Sequence, residues 1–176
     1  HLANSAGALF HPAARLDMVR PGIALYGAMA SPDSVPVIPL KPVMKLTTKV
    51  IHTKTVPAGT PISYGRTHTT SQETTVATLA VGYGDGYSRA LSNQGSVLIH
   101  GQRAKILGAV CMDLTMVDVT HIPSTKPGDE AVLLGEAGND QISAEEVANL
   151  MGTIPYEVLT SVHKRVPRVY TGKLNT

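Results

Sequence analysis

The sequence predicts a mainly β chain: a largely antiparallel β domain with short helices, entered from the end of a parallel α/β unit. Three observations carry this. Six short runs rich in β-branched and apolar residues follow one another from residue 44 onward, separated by turn residues. Ahead of them lies a small-residue and mostly apolar stretch, the composition of a buried parallel strand. Between the two stands "SPDSVPVIPLKP", residues 31 to 42, whose four prolines in twelve residues read as a linker. The expected division is therefore 1–37 and 38–176.

Taken in order, "HLANSAGALF" reads as a small-residue loop and "LDMVRPGIALYG" as a buried strand interrupted at Arg20-Pro21-Gly22. After the linker, "MKLTTKVIHTKTV", "TTVATLAVGY", "GSVLIHG", "RAKILGAV", "LTMVDV" and "EAVLLG" are predicted strands. "ISAEEVANLMG" is a helix: Ser143 and Glu146 have capping-box spacing, and Val147, Leu150 and Met151 share one face. "YEVLTSV" predicts a second short helix and "KRVPRVY" a closing strand. There is no internal repeat and no low-complexity segment.

Composition narrows the function. The 176 residues are 43% hydrophobic and 16% charged, a globular balance large enough to bury a core. Fifteen basic against thirteen acidic residues, a formal charge of +2, argue against a nucleic-acid or membrane surface. No apolar run reaches the length of a membrane span and no signal-peptide pattern opens the chain, so a cytoplasmic address is expected. The single Cys111 cannot form an internal disulfide, which agrees with a reducing compartment. Because the first residue is His1 and not Met, the chain is read as a fragment.

Several stretches carry candidate chemistry. In "TPISYGRTHTT" a phenol, Tyr64, sits beside a glycine where the backbone bends; it can stack, donate a hydrogen bond or, with its pKa lowered, move a proton. "VGYGDGYSR" alternates three glycines, but it has neither phosphate-loop nor dinucleotide spacing and reads neutrally as a strand entering a turn, with Tyr83 and Tyr87 projecting. Asp85 alone is too little for calcium, and the seven histidines lack metal spacing. Arg20 lies among apolar residues and needs an acceptor, either a structural ion pair or a ligand. The Pro-Gly that follows it exposes backbone N–H groups, as at phosphate-binding strand ends of α/β barrels. "CMD", residues 111 to 113, reads alone as core packing.

As an ordered series, "HLANSAGAL", "MVRPGIALYG", "ISYGRTHT", "VGYGDGYSR", "GAVCMDLTMVDV", "ISAEEVA" and "TIPYEVLTSVHKRVPRVY" resemble one family, the bacterial alanine racemases, over nearly the whole chain. The resemblance implies a homodimeric, pyridoxal-phosphate isomerase that interconverts L- and D-alanine and supplies D-alanine for peptidoglycan in the cell wall. It implies a TIM-like α/β barrel, whose last strands are residues 1 to about 33, followed by a C-terminal β domain. The Schiff-base lysine would lie in the missing N-terminal part, so the fragment alone would be inactive.

By the same resemblance, Ser5, the N–H groups of Gly22 and Ile23, and the Tyr156 hydroxyl would hold the cofactor phosphate. Arg20 would face the pyridine nitrogen, with His1 hydrogen-bonding it from behind and Asn4 in the same supporting layer. Tyr64 would be the second acid/base, reaching into the partner subunit's site opposite the lysine. Met112, through its N–H, would contact the substrate carboxylate, while Tyr83, Arg89 and Ile154 would line the entry channel and Tyr156 narrow it beside Tyr64. Ala109 departs from the arginine common in the family, which implies altered channel electrostatics and substrate range. A broad-specificity racemase of the same fold and a non-catalytic β-barrel interaction module are the competing readings.

Overall fold

A computed structural model of the chain describes residues 1–29 and 38–172. In chain order its strands are β1 (Leu46–Val56), β2 (Pro61–Ile62), β3 (His68–Thr69), β4 (Thr74–Leu79), β5 (Ser96–Ile99), β6 (Gln102–Lys105), β7 (Thr115–Asp118), β8 (Glu130–Ala137) and β9 (Asp140–Ile142). The α-helices are α1 (Ser5–Phe10), α2 (Ala144–Met151) and α3 (Pro155–Ser161). The six predicted strand runs correspond to β1, β4, β5, β6, β7 and β8; β-branched residues favour the strand in five of them, while β6 (QRAK) has none and forms as the return limb of a hairpin with β5. The regular structure from residue 38 onward is therefore mainly β, with short helices, as the sequence predicts.

These strands form one antiparallel sheet in the order β6-β5-β8-β1-β4-β7, with β9 paired to β8. Its two ends meet through an antiparallel bridge between Ile106 and Val117, where the Leu107 N–H donates to the Met116 carbonyl at 2.8 Å. The sheet thus closes on itself, and a closed sheet leaves few unpaired edges. The long β1 makes the closure possible. It pairs with β8 through Leu46–Lys49 and with β4 through Val50–Val56, and its register shifts in both ladders. Such irregularities bend and twist a strand.

Leu79, Leu98, Leu133 and Val117 are fully buried inside the closed sheet. Burying each such leucine contributes about 1.5–3 kcal/mol. Helix α2 covers one end of this core with Val147 and Ala148, and Leu150 and Met151 pack partly against it. Its N-terminus is capped by Ser143, whose Oγ accepts the Glu146 N–H at 3.1 Å. The return half of the predicted capping box is not made. Glu146 instead accepts Arg103 Nη1 at 2.5 Å and Nη2 at 3.1 Å, and the same guanidinium binds Asp140 at 2.7 Å. A bidentate cation outcompetes one more backbone donor for the carboxylate.

Two predicted strands are absent. In "LDMVRPGIALYG" the only ladder is a single parallel bridge between Asn4 and Arg20, and Ile23–Tyr26 is a 3-10 helix. Pro21 has no N–H to give a ladder, and Gly22 N–H turns back to the Arg20 carbonyl at 2.9 Å. The mainly β class is unaffected. "KRVPRVY" is not a strand either: Arg168 folds back to donate to the carbonyls of Val162, His163 and Val166, and Pro167 lacks a ladder donor. The centre of the predicted linker lies outside the described residues, while 38–42 is non-regular chain.

Candidate functional site

Three loops converge at one end of the closed sheet. The first joins β2 to β3 and carries Tyr64. Its base is pinned by the buried Thr70, whose Oγ1 donates to the Pro57 carbonyl at 2.8 Å and accepts the Thr60 N–H at 3.0 Å. The tip bends hard: Ser63 has φ 65° and ψ 178°, Gly65 φ 73° and Arg66 φ 51°. Glycine suits such conformations; a serine there costs on the order of 1–3 kcal/mol. Tyr64, between them, is 78% exposed.

The second loop follows β4. Tyr83 N–H donates to the Cys111 carbonyl at 2.9 Å and Gly84 N–H to the Met112 carbonyl at 2.8 Å, fastening it to the third loop. This approach requires Gly82, because a Cβ there would lie 2.2 Å from the Cys111 oxygen. The third loop, between β6 and β7, is drawn tight by Cys111 N–H to the Leu114 carbonyl at 2.9 Å. Arg165 locks the pair from outside, with Nε to Asp85 and Nη2 to Asp113, both at 2.7 Å.

Between the loops is an open cleft of about 600 Å³, lined by Tyr64, Tyr83, Arg89 and residues 109–114. Four residues singled out in sequence therefore come together: Tyr64, Tyr83, Arg89 and Met112, with Ala109 in the wall. Tyr87, expected to project beside Tyr83, instead lies in the core, where burial raises its phenol above the ordinary range. That leaves Tyr64 and Tyr83 as the phenols at the cleft. A cluster of exposed phenols, a cation and backbone donors can bind a small anionic molecule and exchange a proton with it.

A second group forms in the first 29 residues. Arg20 Nη1 meets His1 Nδ1 at 3.0 Å and the Leu2 carbonyl at 3.3 Å. Ser5 is buried, and its Oγ accepts the Ala24 N–H at 3.2 Å, which sets the hydroxyl beside the Gly22–Ile23 turn. A Cβ at Gly22 would meet nothing within 4 Å, so open space adjoins that backbone. A hydroxyl, turn amides and a guanidinium form a donor set suited to a phosphate and a ring nitrogen. Gly22 N–H itself is engaged by the Arg20 carbonyl, and the side chain of Asn4 caps α1 at Gly7 N–H, 3.0 Å. None of Ser5, Arg20, Gly22 or Ile23 lines the Tyr64 cleft. Ile154 and Tyr156 do not line it either; both are partly to well exposed at the start of α3.

Sequence reasoning passes over the residues that hold the loops: Ser63, whose Oγ donates to the Ala109 carbonyl at 2.6 Å, Asn93, which bridges Thr67 and Gly108, and Arg165. The serine ahead of a tyrosine-glycine pair was a local signal. Arg165 had none, since its partners are 80 and 52 residues away.

Comparison with known proteins adds to this geometry. Residues 43–170 match the family model described as "Alanine racemase, C-terminal domain", and residues 1–30 match "Alanine racemase, N-terminal domain". A protein named alanine racemase from Halothermothrix orenii is 50% identical over 174 residues, covering 99% of this chain and 46% of the relative. One of the same name from Carboxydothermus hydrogenoformans is 52% identical over 172 residues, covering 97% and 46%. Among solved structures, an alanine racemase from Enterococcus faecalis superposes with a TM-score of 0.91 at 38% identity, covering 97% of this chain and 46% of that one. One from Streptomyces lavendulae gives 0.92 at 40%, covering 99% and 46%. The chain spans under half the length of these relatives.

Proposed function

This chain belongs to the alanine racemase family, and on that premise we propose that it is the C-terminal part of an enzyme interconverting L- and D-alanine. The supporting observation is the Tyr64 phenol, held out by a strained hairpin into a cleft it shares with Met112. Racemisation requires a proton to leave Cα on one face and return on the other. In this reading the Tyr64 hydroxyl exchanges that proton on one face; a lysine in the part of the relatives that this chain does not span acts on the other.

In this reading the Met112 N–H binds the substrate carboxylate and Tyr83 and Arg89 line the approach to it; Ile154, outside that cleft in this chain, lines the channel beyond it. Ala109 leaves that approach without the additional cation common in the family, and substrate breadth follows from this. Pyridoxal phosphate, when bound, supplies the electron-withdrawing system that makes the Cα–H acidic. Ser5, the Ile23 amide and the Tyr156 hydroxyl would hold its phosphate, and the Gly22 amide would join them on release from the Arg20 carbonyl. Arg20 would face its ring nitrogen, and because an arginine stays protonated it would leave that nitrogen without a proton. His1 fixes Arg20 in place.

In this reading residues 1–37 comprise the tail end of the α/β barrel and the linker, and 38–176 the C-terminal β domain. Tyr64 serves the site of the other subunit, so the active form is a cytoplasmic homodimer, and its product feeds peptidoglycan synthesis. The isolated chain, without the lysine, is inactive.

Replacing Tyr64 by Phe in the full-length dimer tests the reading. Racemisation falls by about 100-fold or more in both directions, the usual worth of a positioned acid/base group. Interconversion at the original speed would overturn the assignment.

A further inference from the structure

We propose that Ser63 is a positioning residue for Tyr64, and that its hydroxyl sets the separation between the phenol and the Met112 loop. The proposal rests on the reading of Tyr64 given above. Its starting point is a mismatch between residue and backbone. At φ 65°, ψ 178° Ser63 occupies a region that essentially only glycine enters without strain, yet the chain places a serine there.

The side chain supplies the reason. Ser63 Oγ donates to the Ala109 carbonyl at 2.6 Å and lies 3.4 Å from Cys111 Sγ. Ala109 and Cys111 belong to the loop that presents Met112 into the cleft. The hydroxyl is therefore a direct tie between the residue before Tyr64 and the loop that carries Met112. A glycine would relax the backbone and leave the tie unmade.

The surroundings make this tie matter. Gly108 has no side chain, and a Cβ on it would lie 2.6 Å from the Ile62 oxygen and 2.7 Å from Ser63 Cβ, so the two loops already touch along their backbones. On the far side of the hairpin Asn93 bridges the same elements, donating to Thr67 Oγ1 at 3.0 Å and accepting the Gly108 N–H at 2.7 Å. Tyr64 stands between these two supports. Asn93 holds the outgoing limb of the loop, and the Ser63 side chain holds the incoming limb beside the phenol.

Ser63→Gly in the full-length dimeric protein separates positioning from stability, since it removes the strain together with the tie. The expected result is a melting temperature equal to or above the parent's, with kcat/KM for racemisation lowered roughly 10- to 100-fold, the scale of a displacement near 1 Å. The loss is equal for both enantiomers, because their equilibrium constant is unity. The α-deuterium isotope effect on kcat/KM rises for one enantiomer only, the one whose proton Tyr64 removes. Ser63→Ala, which keeps the strain and lacks the hydroxyl, is slowed in the same way and melts lower.

Activity of Ser63→Gly within twofold of the parent, with Tyr64→Phe inactive, overturns the proposal and leaves Tyr64 in its role. A lower melting temperature with unchanged isotope effects makes Ser63 merely structural and also overturns it. If Tyr64→Phe keeps full activity, the reading beneath the proposal has failed, and the proposal fails with it.

Discussion

Replacing Gly82 by Ala tests whether the cleft is shaped by backbone contact between its second and third loops. Gly82 has an extended backbone, φ −159° and ψ −165°, so an alanine meets no conformational penalty and the effect is purely steric. The added Cβ would lie 2.2 Å from the Cys111 oxygen and 2.5 Å from the Met112 carbonyl carbon and oxygen, all backbone atoms that cannot rotate away. The loops must part, and with them the bonds from Tyr83 to Cys111 and from Gly84 to Met112. Two backbone hydrogen bonds contribute about 1–3 kcal/mol together, and overpacking costs about 1–3 kcal/mol more. The sum, about 2–6 kcal/mol, lowers Tm by about 4 °C or more at this chain length. Thermal unfolding measures the loss. Amide hydrogen exchange locates it, with Tyr83 and Gly84 losing protection while Leu98, in the sheet, does not. An unchanged Tm together with unchanged exchange at Tyr83 and Gly84 would refute the reasoning.

Two further outcomes are expected. Arg103 beside Asp140 holds that carboxyl below the usual carboxylate range. A lowered folded pKa stabilises above the unfolded value, about 3.9, and the stabilisation is lost as pH falls through the folded one. Tm of the parent therefore falls more steeply than that of Asp140→Asn on acidification below about pH 4; parallel curves would count against the clamp. Ser143→Ala removes the N-cap of α2 and costs about 1 kcal/mol, or roughly 2–4 °C in Tm, read by thermal unfolding.

What the sequence revealed and what it hid divide along the range of the interactions. The six main strands were legible because each is a local run of strand-forming residues between glycine and proline punctuation. The β2–β3 hairpin was not, since two-residue strands contain no period to read, and it is this hairpin that presents Tyr64. Tyr87 was misplaced for a related reason. In a glycine-rich segment no alternation distinguishes an inward from an outward side chain, and a left-handed Gly86, φ 94°, turns Tyr87 into the core. Tyr64 and Tyr83 stand out in the sequence by themselves, Arg89 and Met112 only through the family resemblance, and the ties between them need the fold. Glu146 shows the limit of a local motif: its capping-box spacing was right, but Arg103, distant in sequence, claimed the carboxylate.

Backbone strain alone does not mark the site. Ser63, Asn93 and His100 all have positive φ without being glycine, and each side chain makes a hydrogen bond that joins its loop to another. His100 lines no part of the cleft; it meets Ser124 at 3.1 Å and Asp129 at 3.0 Å, and there the device serves only a turn. What distinguishes Ser63 is its neighbour: the strained residue adjoins an exposed phenol, and its bond ends on the loop that carries Met112. Shape at this end of the sheet is thus fixed by backbone-to-backbone contacts at Gly82 and Gly108 and by the side-chain ties of Ser63, Asn93 and Arg165. Since those elements leave little freedom, the chemistry of this cleft varies through the side chains that line it, Tyr83, Arg89 and position 109 first among them.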